Sequence, residues 1–208
     1  RAPSLGRLTP LSSPGISAEG RKDPLPDNTP ARRLNTERQK TYNKRMKVGI
    51  IMGSDSDLKI MQQAEAVLHE LGVETEMDVM SAHRTPERVL DYARGAYQRG
   101  VAVIIAGAGG AAHLAGFVAA VSAMPVIAVP IKSSNSIDGW DSILSMLQMP
   151  SGVPVATVAL DGARNAGILA AQILSVADPQ LHQRIVDFKE AMKEKVYAAS
   201  ARVREQAK

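Results

Sequence analysis

The chain has 208 residues, 45% of them hydrophobic but only 3% aromatic, which suits one sizeable domain with an aliphatic core. It has no cysteine, so disulfides, thiolate nucleophiles and Cys-based metal sites are excluded. Its net charge of +4 is uneven: residues 1–45 hold ten Lys/Arg against four Asp/Glu, for +6, while the rest carries −2 and argues against nucleic acid as a partner.

Residues 1–45 also carry six of the twelve prolines and show no apolar periodicity. Such a segment buries too little surface to offset its chain entropy, and we expect a disordered basic extension. Residue 1 is Arg, and Met46 stands just before the first regular element, as a processing segment or translated upstream sequence would have it. One catalytic-type α/β domain is expected over 46–208.

The run "KVGIIM" (47–52) reads as a buried strand ending at Gly53. A helix follows from about Asp57, with Leu58, Met61, Ala64, Leu68 and Leu71 on one face and Gly72 as its stop. "VETEMDVM" (73–80) alternates apolar or small residues with acids, which marks an edge strand. Thr85 and Pro86 read as the N-cap and first turn of a helix running to Arg99 and closed by Gly100. "VAVIIA" (101–106) is the most apolar strand, and "GAGG" then opens a helix through about Ala123, with His113 one turn inside it. "PVIAVP" (125–130) is a fourth strand, followed by a helix over 140–149. "PVATVAL" (154–160) is a fifth, followed by a helix from about Asn165 to Val176 and a long final helix over 179–206. Five strand–helix alternations with short loops specify a parallel sheet covered on both faces, a doubly wound, flavodoxin-like three-layer fold. No apolar run approaches the roughly 20 residues that span a bilayer, so a soluble, cytoplasmic protein without a membrane partner is expected.

Ligands of such sheets bind outside the carboxyl ends of the strands. The loops there are "GSDSD" (53–57), "SAHR" (81–84), "GAGGAAH" (107–113) and "IKSSN" (131–135), so the polar and glycine-rich residues share one rim. "GSDSD" offers backbone donors and the hydroxyls of Ser54 and Ser56 to a phosphate, with Asp57 suited to a ribose hydroxyl. Taken alone, plain helix capping is the commoner use of such a sequence. Gly107, Gly109 and Ala112 fit a dinucleotide fingerprint, but the acid expected about 20 residues on is missing from "IAVPIK" (127–132), which argues against a nicotinamide cofactor. His83 can exchange a proton near neutral pH, and Arg84 beside it can clamp an anion bidentately. The competing use of His83 is a histidine satisfied by backbone. A zinc site from His83, His113 and an aspartate lacks tight ligand spacing. A serine hydrolase lacks its G-x-S-x-G elbow. His69 and His182 read as surface residues.

Together "GSDSD", "SAHRTP", "GAGGAAHL" and "QMPSGVPVATVAL" resemble the PurE family, the class I N5-carboxyaminoimidazole ribonucleotide mutases of de novo purine synthesis. The resemblance covers Met46 to the final helix. It implies a cofactor-free, metal-free enzyme that moves CO2 from the exocyclic nitrogen of an aminoimidazole ribonucleotide to ring carbon C4, and a homo-octamer with sites near subunit boundaries. It carries over Ser54 and Arg84 as phosphate contacts and Asp57 as a ribose contact. His83 becomes the general acid/base, and Ser56, Ser81, Gly109 and His113 line the imidazole and carboxylate pocket. Ala115 and Ser151 stand where the family pattern has Pro and Arg. The Arg of "SAHR" favours the mutase over the class II carboxylase that uses free CO2, whose pattern resembles "SAHK". A non-catalytic nucleotide-binding module on the same fold is the reading from another class, and two histidines on the rim favour the enzyme.

Overall fold

In the computed structural model, residues 46–206 are described, and the extension expected at 1–45 lies outside the described residues. The apolar run Lys47–Met52 forms β1, the inner strand on which the sheet is organised. It pairs in parallel with β2 (Glu74–Val79) on one side and β3 (Val101–Gly109) on the other. β4 (Val126–Ile131) and a two-residue β5 (Ala156–Thr157) continue the sheet, all parallel, in the order β2-β1-β3-β4-β5. This is the flavodoxin-like order, with its switch point between β1 and β3.

Alternation along the strands sorts the core into two layers. Val48, Ile50 and Met52 of β1, with Val103 and Ile105 of β3, face α1 (Leu58–Glu70), α5 (Ala163–Ser175) and the start of α6 (Pro179–Gln206). Ile51, Ile104 and Ala106 face α2 (Pro86–Arg94), α3 (Leu114–Ala119) and α4 (Trp140–Leu147). Both faces are apolar, as a parallel sheet requires. β2 is the edge strand, and its acids are held by cations: Glu76 lies 2.6 Å from Lys47 and Asp78 lies 2.7 Å from Arg88.

Several boundaries differ from the sequence reading. The helix expected from Pro86 to Arg99 stops at Gly95, and a 3-10 turn, Tyr97–Arg99, completes it. β3 runs three residues further than expected because Gly107–Gly109 pair with Val129–Ile131 of β4. His113 consequently stands at the N-cap of α3 rather than a turn inside it. β5 is shorter than expected; beyond it the Val158 and Asp161 N–H groups still bond to the carbonyls of Ala128 and Pro130, but no regular ladder forms. None of the described helices is long and apolar enough to cross a membrane.

Candidate functional site

Because all five strands run the same way, their carboxyl ends deliver four loops to one rim, around a cavity of about 440 Å³. The β1 loop begins at Gly53 and turns at once into a 3-10 helix, Asp55–Asp57. Ser54 caps it: its Oγ accepts from the Ser56 N–H at 3.3 Å, and the Asp57 carboxylate accepts from the Ser54 N–H at 3.2 Å. Asp57 is therefore buried, with Ser56 Oγ also donating to it at 3.5 Å. Burial raises the Asp57 carboxyl above its usual range, against the Ser54 and Ser56 hydrogen bonds and the nearby Arg84 charge, which pull it down. Capping and cavity lining are thus two uses of the same residues.

The β2 loop is a tight turn closed by Thr85. Its Oγ1 accepts from the Ser81 N–H at 3.0 Å and donates to the Ser81 carbonyl at 3.1 Å, so Thr85 stands at the N-cap of α2, as expected, but its side chain locks the loop and makes no capping bond into the helix. The turn holds His83 and Arg84 outward. Arg84 Nη2 donates across to the Gly53 carbonyl at 2.9 Å and Nε to Ser81 Oγ at 3.4 Å, tying the first two loops together.

The β3 loop brings His113 onto His83. Their rings meet edge to face, with Nε2 of His83 2.9 Å from Nδ1 of His113, so one ring donates to the other. The two lie 30 residues apart, and no local spacing could announce their contact. The strand that leads into this loop packs closely at two of its glycines. A Cβ on Gly109 would overlap Ser133 Oγ, and one on Gly107 would overlap Met61 Sδ. The fingerprint-like glycines are therefore packing positions within a strand, and Gly109 also lines the cavity.

The structure brings together Ser54, Ser56, Asp57, Ser81, His83, Arg84, Gly109 and His113 around one cavity. It adds Ser133 and Asn135 from the β4 loop, which the sequence reading placed on the rim without choosing a residue. Two serines and an asparagine directly after a strand were the available signal. Ala115 is buried in α3 and Ser151 is exposed in a turn, and neither lines the cavity. His69 bonds Thr75 Oγ1 at the surface, and His182 is exposed on α6. Among the described residues no group of three His, Asp or Glu side chains is placed to hold a metal ion.

Fold and crevice together define a flavodoxin-like α/β protein whose polar site lies at the switch point of its sheet. Residues 47–195 match the AIR carboxylase family, and the chain belongs to it. It is 54% identical over 157 residues to an N5-carboxyaminoimidazole ribonucleotide mutase of Thermotoga maritima, covering 76% of this chain and 91% of that protein. It is 56% identical over 147 residues to a phosphoribosylaminoimidazole carboxylase of Schizosaccharomyces pombe, covering 71% of this chain and 26% of that longer protein. Among solved structures, Treponema denticola PurE superposes with a TM-score of 0.66 at 30% identity, over 74% of this chain and 96% of that one.

Proposed function

We propose that the chain is an N5-carboxyaminoimidazole ribonucleotide mutase of de novo purine biosynthesis, transferring the carboxyl group from the exocyclic nitrogen to C4 of the imidazole. One juxtaposition carries the reading: His83 and His113 in contact over a cavity that also holds Arg84 and Ser54, in a chain so similar to named mutases. Arg84 is braced by the Gly53 carbonyl, which leaves the rest of its fork for the 5′-phosphate, with the Ser54 hydroxyl beside it. Asp57 accepts from the ribose, while Ser56, Ser81, Gly109 and His113 surround the base and its carboxylate. The carbamate C–N bond breaks with its electrons kept by nitrogen, which takes a proton from His83. C4 then attacks the captive CO2, and His83 removes the C4 proton. Protons balance over the two steps, and holding CO2 beside C4 supplies the proximity contribution.

The enzyme works in the cytoplasm on a small ribonucleotide, as a homo-oligomer and by family resemblance an octamer. Apolar side chains left exposed on a single chain, among them Trp140, Leu144 and Leu147 of α4, support assembly. The Schizosaccharomyces pombe relative supports a second reading, carboxylation of the unsubstituted aminoimidazole ribonucleotide by free CO2. Supplying the two nucleotides separately, each with and without added bicarbonate, decides between them. A mutase converts only the N-carboxylated one; turnover of only the unsubstituted one, dependent on CO2, would overturn the assignment.

A further inference from the structure

The two ends of the cavity differ in chemistry. Among its lining residues Arg84 is the only fixed cation, and it sits at the β1–β2 end. At the other end, above β3 and β4, the wall is Ser133 to Asn135, and its donors are neutral. Ser133 Oγ donates to Asn135 Oδ1 at 2.7 Å, which fixes the rotation of the carboxamide. Nδ2 is turned over Gly110, where a Cβ would stand only 2.8 Å from it, and Gly110 has φ +63. This nitrogen makes no hydrogen bond among the described residues, so both its N–H donors are free beside the cavity.

The loop is held in this conformation from behind. The Lys132 N–H donates to Asp161 Oδ1 at 3.0 Å, and the Asp161 N–H to the Pro130 carbonyl at 2.9 Å. Lys132 Nζ pairs with Asp138 at 2.9 Å, which turns that cation away from the cavity rim and onto its own loop. Asp138 and Asp161 both have left-handed backbone, a strained state that persists only where its surroundings over-determine it.

We infer that Asn135 is the hydrogen-bond donor that holds the migrating carboxyl group, with Ser133 positioning its amide. The inference rests on the mutase reading. A phosphate at the β1–β2 end sends the base towards β3 and β4, where Gly110 is followed three residues later by His113. The carboxyl group begins as a carboxylate and passes through neutral CO2. A guanidinium or ammonium here would favour the charged ground state over CO2 and raise the barrier. A neutral amide adds no fixed charge to hold the carboxylate back, and its N–H donors retain the gas while the C–N bond breaks and the C4–C bond forms.

The test uses the full-length protein with N5-carboxyaminoimidazole ribonucleotide, reading the C4-carboxylated product and the unsubstituted amine released above the rate without enzyme. In Asn135→Ala, kcat falls about tenfold and the amine released per turnover rises by a similar factor, as loss of one hydrogen bond to the neutral CO2 and its flanking transition states implies. KM changes little, because the phosphate end is untouched. Asn135→Asp, which sets carboxylate against carboxylate, is worse; Ser133→Ala, which frees the amide to rotate, falls between wild type and Asn135→Ala. If the alanine variant does not fold, Asn135→Ser carries the same readouts. Wild-type kcat and partition in a folded variant would overturn the inference. If the wild type acts only on the unsubstituted nucleotide with bicarbonate, the mutase reading fails separately. The inference is then read on KM for bicarbonate: a rise of about tenfold keeps the carboxyl contact, and no change overturns it.

Discussion

His83 occupies a turn that Thr85 closes on Ser81 and that Arg84 staples to Gly53, so the imidazole is presented by a rigid frame rather than a free loop. Its contact with His113 at 2.9 Å makes one ring the donor and the other the acceptor, according to tautomer. Replacing it by asparagine keeps a polar side chain but removes the proton carrier. His83→Asn should therefore lower kcat by roughly 10²- to 10⁴-fold while nucleotide binding, which we propose rests on Ser54 and Arg84, stays close to wild type. Single-turnover kinetics and titration calorimetry measure the two separately, and near-normal turnover would remove His83 from the acid/base role. At this scale the sequence named the residue types and their rim. It could not show that Asp57 turns inward to cap its own loop, because burial depends on what packs around it.

β3 shows how an element's length is decided by its neighbour. "VAVIIA" is apolar enough to be a strand by itself, whereas "GAG" has poor strand propensity and reads as a loop. The three residues stay extended because β4 offers Val129–Ile131 as partners, and because the absent side chains let Met61 and Ser133 close over the strand. Gly109→Ala forces a Cβ onto Ser133 Oγ and to 2.8 Å from the Ile131 carbonyl, which belongs to the paired strand and cannot move freely. We expect a loss of about 1–3 kcal/mol in stability, the usual cost of overpacking, together with a fall in kcat/KM as the β4 loop is pushed off the cavity. Thermal denaturation and steady-state kinetics check both parts. A variant with unchanged melting temperature and rate would show that the loop yields at no cost.

The long C-terminal helix belongs to the scale of the whole molecule. Its 28 residues extend about 42 Å at the usual rise, and only Leu181 and Ile185 are buried, with Phe188 packed on the core beside them. From Lys189 to Gln206 every residue is exposed except the half-buried Ala199, yet Met192, Val196 and Val203 continue the apolar spacing. We propose that a neighbouring subunit covers this apolar stripe, which leaves its own core. Deleting residues 190–208 should lower the oligomeric mass and the activity together, with the α/β core still folded. Light scattering combined with circular dichroism tests this; an unchanged assembly, or a fully active monomer, would end the idea.

What the sequence determined by itself was everything that rests on local periodicity and chain order. The alternation of strand and helix, the doubly covered parallel sheet and the collection of polar loops at one rim all follow from hydrophobic spacing and from the rule that parallel strands end together. The motif residues Ser54, Asp57, His83, Arg84 and His113 were legible because each stands in a short, unusual loop directly after a strand or at a helix entry. Tertiary structure alone decided the pairing of His83 with His113, the locking of Ser81 by Thr85 within its turn, the extension of β3 and the aim of the Asn135 amide. Most of these join residues distant in the chain, and all depend on rotamers and backbone angles selected by packing. The histidine pair and the extra β3 pairing form only after the sheet has brought distant segments together, so no window of the sequence contains them.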